Sequence, residues 1–380
     1  QRAIELEDAR DRKRHDLAPR ERMLARDDPQ GRGVNYISSD ADWINFNAVV
    51  STSPDQIAIA PGTLEKEWLD KGRRYFHYKM DKPILNFYAF QSARYEVRHD
   101  RWRDVTIDVY YHAAHGYNLD RIVKGVKASL EYYSANFSPY QHKVVRVVEF
   151  PRYATFAQSY PGTIPYSENI GFIAKVDDQD PKDIDYPFHV TAHEMAHQWW
   201  GHQLVGANTR GATVLSETLA EYSALMVMKK TMGPHKMRRF LRYDLDRYLM
   251  GRALENRKEL ALAQNENQDY IHYRKGGLAM YLLQDVLGED KVNGVLHKLL
   301  AEHAFHGAPY PGVDVLTGAL RQVTPPEYAY LIDDLFESIV LYENRATLAV
   351  AQRRADGKYT VTLSASANKM RAGELGEEKE

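Results

Sequence analysis

Cysteine is absent from the 380 residues. That excludes a disulfide framework, thiolate metal sites and a cysteine nucleophile, and leaves the redox compartment open. No uninterrupted apolar run reaches the roughly 18 residues that a membrane-crossing helix needs. A charge excess of one sign is missing too. The 50 Lys and Arg nearly balance the 52 Asp and Glu, for a formal charge of −2, so no nucleic-acid partner is expected. Internal repeats, low-complexity tracts and an apolar signal core behind Gln1 are all lacking, and the chain is expected to be an excised piece of a longer polypeptide. What is present, 44% hydrophobic and 27% charged residues, is the composition of a globular protein. The length suffices for two or three domains.

Residues 1–34 are dense in Arg, Asp and Glu and read as an exposed helix or a loosely held arm. From Val34 to Val97 short apolar-aromatic runs (56–60, 75–78 and 84–90), punctuated by Pro and Gly, predict β-structure. Residues 102–112 alternate in polarity and read as one strand. Asn118 and Asp120 offer caps for a helix to about Ser134. Residues 143–150 and 169–176 read as further strands. After Tyr186 the pattern turns helical. Met237, Phe240, Leu241, Leu245, Tyr248 and Leu249 follow helical spacing, and 277–287, 291–303, 312–323 and 327–342 continue the series. In the tail, 346–352 and 359–364 flank Asp356-Gly357, a hairpin signal. A lone hairpin lacks sheet partners, so a further β-domain is expected beyond it. The order β-rich, then mixed, then helical predicts an α+β fold with segregated elements.

The segment "TAHEMAHQWWGH" carries His193, Glu194 and His197. On a helix, residues four apart share a face, so both imidazoles reach one ion, while Glu194 sits where it can touch an activated water without ligating. By composition alone this pattern arises in about one such chain in a few tens, so it needs a third ligand to mean anything. "VLSETLAEY" supplies Glu217 and Glu221, again four apart, inside a run containing Val214, Leu215, Leu219, Ala220 and Leu225. Burying two unpaired carboxylates there is costly, and a cation removes the cost.

These segments, with "PYSEN" before them and "YRKG" after, resemble the aminopeptidase N family of zinc metallopeptidases (gluzincins) over about residues 84–342. The likeness is greatest to bacterial variants fused to transporter permeases. The resemblance implies a thermolysin-like zinc peptidase catalytic domain with a β-rich N-terminal part and a helical C-terminal half. Residues 1–98 would be a charged arm and the end of a β-rich domain, 99–343 the catalytic domain, and 344–380 the start of a truncated C-terminal β-domain. It implies that His193, His197 and Glu217 ligate Zn²⁺ and that Glu194 is the general base. Tyr273 would be the hydrogen-bond donor in the transition state, with Tyr270 its competitor, and Glu168 would hold the substrate's α-ammonium group. Glu217 is preferred to Glu221 because "TLAEY" follows it in the family's frame. Glu221 is then expected to orient an imidazole. Three departures stand out. Residues 198–216 make the spacing to Glu217 one longer than is usual, "PYSEN" lacks the family's Gly and Met, and Thr218 replaces a Gly.

The function so implied is a zinc-dependent aminopeptidase, using metal-activated water on peptide substrates with a free N-terminus, within a membrane-associated bacterial parent. The alternatives are a catalytically silent peptide-binding or regulatory module of a membrane transporter, and a zinc endopeptidase. Glu194 and Tyr273 together favour an enzyme, because a binding module needs no base. Trp199 and Trp200 read as packing residues and His202 as structural or solvent-facing. His189 is given no role.

Overall fold

A computed structural model describes residues 9–180, 183–255, 258–372 and 378–379. The N-terminal β part is built from short antiparallel pairings. Strands β1 (Asn47–Thr52), β2 (Thr63–Asp70) and β3 (Arg73–Lys79) form one sheet in the order β1-β3-β2. Alternation along β3 sends Phe76 and Tyr78 inward, where they pack with Phe46, Ala58 and Ile84.

The central sheet follows. Its strands β4 (Glu96–Trp102), β5 (Val105–Tyr111), β6 (Val144–Phe150) and β7 (Thr163–Ser167) lie in the order β7-β6-β5-β4. β4 and β5 are an antiparallel hairpin, whereas β6 runs parallel to both β5 and β7. Strand β6 is buried along its whole length, as expected of a parallel strand covered on both faces. Helix α1 (Leu119–Asn136) makes the crossover from β5 to β6. It packs against the helical half through α2 (Tyr186–Ala196) and α3 (Glu217–Met232), where Ile122, Val126 and Leu130 join Ala192, Ala196 and Leu219 in one core. Behind α3 lie α4 (Met237–Leu254), α5 (Gly276–Leu287), α6 (Glu289–His303) and α7 (Val313–Val323). The fold is thus α+β, with a helical C-terminal half, as the element order predicts. A ribbon of β8 (Ile339–Arg353) and β9 (Tyr359–Ala372) follows.

Three local expectations fail, each for a physical reason. Residues 102–112 are not one strand. Arg103, at φ 51°, turns the chain between Trp102 and Val105, and a two-residue turn leaves the period-2 pattern intact. Residues 169–176 form a loop, because their carbonyls bond elsewhere. The Asn118 side-chain amide donates to the carbonyls of Gly171 and Ala174, both at 2.8 Å. The helix expected over 327–342 ends in a π-helical turn at Asp333–Glu337, and the β-branched residues Ile339 and Val340 pair with β9 instead.

The charged arm is tied down from Arg22 onward, where its guanidinium pairs with Glu266 at 2.6 Å. Arg210 N–H donates to Leu24 O at 2.9 Å, Asn208 N–H to Gly31 O at 3.1 Å, and Arg32 pairs with Asp314 at 2.8 Å.

Candidate metal centre

Helix α2 begins where the Asp185 carboxylate accepts from Phe188 N–H at 3.2 Å, with Pro187 in the first turn; both are standard helix-start chemistry. Its last turn carries His193 and Glu194, and His197 caps it. Helix α3 opens with Glu217 and is held against α5 by two glycines. A Cβ on Gly277 would stand 2.7 Å from Glu221 Cγ, and one on Gly276 2.3 Å from Thr218 Oγ1. Thr218, where a Gly was expected, uses that hydroxyl to donate to His272 O at 2.6 Å. The extra residue of the connection is absorbed in a well-pinned loop. Gly201 N–H donates to Leu204 O at 2.8 Å, Ala207 N–H to Pro311 O at 2.9 Å, and Gly211 takes φ 78° before a 3₁₀ turn.

These elements bring three side chains to a point. His193 Nε2 lies 3.2 Å from His197 Nε2 and 3.3 Å from Glu217 Oε2, and His197 Nε2 lies 3.1 Å from the same oxygen. Outer hydrogen bonds decide what those nitrogens carry. His193 Nδ1 faces Glu221 Oε2 at 3.0 Å and His197 Nδ1 faces the Trp200 carbonyl at 3.0 Å. Both partners are acceptors, so each Nδ1 bears the proton and each Nε2 presents a lone pair. Two lone pairs and a carboxylate oxygen facing one another in a buried site repel unless a cation lies between them. The edge of a tetrahedron with bonds of about 2.0–2.1 Å is about 3.3 Å, and the three separations match it. The donor set fits zinc, two imidazoles and one carboxylate with a fourth position open.

The electrostatics agree. Burial opposes charging His193, but Glu217 and Glu221 outweigh it and raise its pKa to about 10. Burial acts against the Glu217 carboxylate as well, yet His197 and His193 hold it well below its usual range. Both shifts favour positive charge at the point where the three donors meet. Glu194 is buried beside it, and burial pushes its carboxyl up against the pull of His197 and His193.

Tyr273 comes from a π-helical turn, Tyr270–Lys275, a distortion frequent at functional sites. Its ring centroid is 5.5 Å from that of His193. Burial, then the negative charge of Glu217 and Glu194, raises its phenol well above the ordinary value, so it keeps its proton and can donate. Tyr270 instead packs its ring against Tyr248 at 6.1 Å. Arg274 is fixed by a 2.8 Å bond to buried Asp244, anchoring the turn that carries Tyr273.

Glu168 stands apart from the three donors, just past the end of β7. Its carboxylate is 3.8 Å from His115 Nδ1 and 3.9 Å from Arg152 Nε. His115 bonds to buried Glu149, which also accepts from His112 N–H at 2.6 Å. His115 Nδ1 is thus committed to Glu149, and Glu168 faces that pair at ion-pair distance.

His189, assigned no role from the sequence, belongs to the centre. Its Nε2 meets Glu221 Oε1 at 2.8 Å. The signal was available, because His189, His193 and His197 recur every four residues on one helix face. Trp199 and Trp200 are wholly buried and donate to Ser138 O at 2.8 Å and Ser223 Oγ at 2.9 Å. His202 is buried too, its Nε2 bonded to Ser159 O at 3.0 Å.

A helix bearing two imidazoles and a glutamate, met by a carboxylate from the next helix beneath a mixed sheet, is the arrangement of metal-dependent peptidases. The model of the peptidase family M1 domain matches residues 117–320, and the chain belongs to that family. Among solved structures it is similar to an M1 zinc metallopeptidase from Deinococcus radiodurans, at 17% identity and a TM-score of 0.60, over 78% of this chain and 64% of that one. A mutant of that protein bound to a Tyr-Ser-Ala substrate matches at 17% identity and a TM-score of 0.60, over the same shares of each chain. A mutant two-domain M1 zinc metallopeptidase bound to L-tryptophan matches at 16% identity and a TM-score of 0.58, again over 78% and 64%. At such identities the likeness concerns the fold. The chain spans less than two thirds of the length of these structures.

Proposed function

We propose that this chain is a zinc-dependent aminopeptidase that hydrolyses the N-terminal peptide bond of peptides. The observation that carries the reading is the convergence of two imidazole lone pairs and a carboxylate at tetrahedral spacing, which supports His193, His197 and Glu217 as zinc ligands. When bound, the ion lowers the pKa of a water and polarises the scissile carbonyl. Glu194 takes the proton from the attacking water and passes it to the leaving amine, a task suited to a carboxyl raised by burial. Tyr273 donates a hydrogen bond to the oxygen on which negative charge develops. Glu168, half-buried beyond β7 and close to a second carboxylate at Glu149 through His115, supplies negative charge for the substrate's ammonium group. A blocked N-terminus would leave that carboxylate unpaired, which is the source of selectivity.

In this reading residues 99–343 are the catalytic domain and residues 1–98 a charged arm with the end of a β-rich domain. Residues 344–380 begin a C-terminal β-domain, supported by Tyr359, Val361 and Leu363, which stand exposed on one face of the ribbon. The likeness to permease-fused variants extends the reading to a membrane-anchored parent. No helix among the described residues is long and apolar enough to cross a membrane, so such an anchor would lie outside them.

The test is a metal analysis of the purified chain joined to an assay on matched free and N-acetylated peptides. Zinc bound with turnover of the free peptides alone is expected. Equal turnover of both would make the chain an endopeptidase, and zinc without turnover would make it a peptide-binding module.

A further inference from the structure

The π-helical turn that carries Tyr273 is docked closely on α4. Gly251 permits the approach, because a Cβ there would stand 2.4 Å from Tyr270 Cβ. Two turns earlier on the same helix, Asp244 is 1% exposed and its carboxylate accepts from Arg274 Nη1 at 2.8 Å. The guanidinium carbon of Arg274 lies 5.5 Å from the ring centroid of Tyr243 and 5.9 Å from that of Tyr273. Both separations are within reach of cation–π attraction. One charged group therefore links α4 to the ring that faces His193.

A buried carboxylate–guanidinium pair contributes little to stability. Desolvation of the two charges offsets much of their attraction, and apolar residues of similar size often serve as well. Such a pair is better suited to fixing one geometry. Because Arg274 is next to Tyr273 in the chain, holding its guanidinium holds the neighbouring backbone and the ring beneath it. The Glu221 carboxylate also attracts the guanidinium. Both of its oxygens, however, are already engaged by His189 and His193, so the metal donors are oriented without help from Arg274.

We propose that Asp244 is a positioning residue for the reaction: through Arg274 it holds the Tyr273 hydroxyl where negative charge develops on the substrate. A displacement of about 1 Å at such a donor costs up to about 100-fold in rate, so a contact two residues removed from the chemistry can govern kcat. The inference rests on the peptidase reading for the role of Tyr273. The link from Asp244 to that ring rests on the geometry alone.

The test is D244N, which keeps the shape of the side chain and removes the charge that fixes the guanidinium. In steady-state assays of the full chain on a free peptide, kcat is expected to fall about 10–100-fold, with KM and zinc content unchanged. The same substitution in a Y273F background is expected to cost less than about twofold, since the group it positions is gone. An equal loss in both backgrounds, or a loss of zinc, overturns the proposal, because the pair would then act on the fold or on the metal donors. Wild-type kcat in folded D244N overturns it too. Should D244N fail to fold, R274K carries the same expectations, because it keeps the charge and lacks the planar fork. Should the wild type bind zinc and turn over no peptide, the peptidase reading fails, and crystal structures of wild type and variant decide the link. A Tyr273 ring displaced from its 5.5 Å separation from His193 then supports it, and an unmoved ring overturns it.

Discussion

Glu221 and His193 are joined by a 3.0 Å hydrogen bond between carboxylate Oε2 and imidazole Nδ1, and the other carboxylate oxygen holds His189 Nε2 at 2.8 Å. This one buried acid fixes which nitrogen of His193 faces the centre. It also braces the helix one turn earlier, through His189. Removing it frees the ring to rotate and to change tautomer. E221Q is expected to weaken zinc binding about 10–100-fold, measured by chelator competition. Unchanged affinity would show that packing alone orients His193.

Glu194 lies in the same helix turn as the ligands but does not share their oxygen–nitrogen triangle. E194Q keeps size and hydrogen bonding and removes the base. Metal content is expected to stay at the wild-type level while kcat falls about 10²–10⁴-fold. A parallel loss of metal would instead make Glu194 part of the binding set.

Tyr273 and Tyr270 are separated by their neighbours. The former faces His193 and the latter packs on Tyr248. Y273F is expected to lower kcat by about 10²–10³-fold with KM little changed, the loss typical of one transition-state donor. Y270F is expected to leave kcat near wild type. Steady-state kinetics on a free peptide checks both, and a reversed pattern would exchange their roles.

The helical half and its donor residues were legible in the sequence because a four-residue repeat of His193 and His197, and of Glu217 and Glu221, projects directly onto helix faces. The α+β order followed equally well from the shift in periodicity after Tyr186. What escaped depended on long-range contacts. The 169–176 loop is decided by Asn118, some fifty residues earlier, which bonds its carbonyls. The strand from Ile339 is decided by pairing with β9, and an apolar run there fits either helix or strand. The role of His189 depends on Glu221, the acid from another helix that links it to His193.

Glu168 faces a different question, because it touches His115 and Arg152 rather than the metal donors. If its charge receives a peptide's ammonium group, E168Q should raise KM for free peptides and shrink their advantage over N-acetylated ones. Competition assays with matched pairs read this directly. An unchanged ratio would move amine recognition to another acid, with Glu149 the next to examine.

Acid stability provides a last prediction. His272 is buried, with Nδ1 accepting from the Asn265 amide at 3.2 Å, and burial pulls its pKa down to about 4. The unfolded chain binds that proton near pH 6.5. Between these values the unfolded state holds more protons, so this contribution to stability is present above pH 6.5 and is lost progressively as pH falls towards 4. At pH 5.5 the loss from one such group is about 1.4 kcal/mol. His202, lowered to about 3 by burial, acts in the same direction. Urea unfolding of wild type and H272Q at pH 7.5 and 5.5 isolates the term, since every other titration is shared. The stability difference between the two pH values is expected to be about 1.4 kcal/mol smaller in H272Q. Equal differences would mean that His272 titrates alike in the folded and unfolded chains.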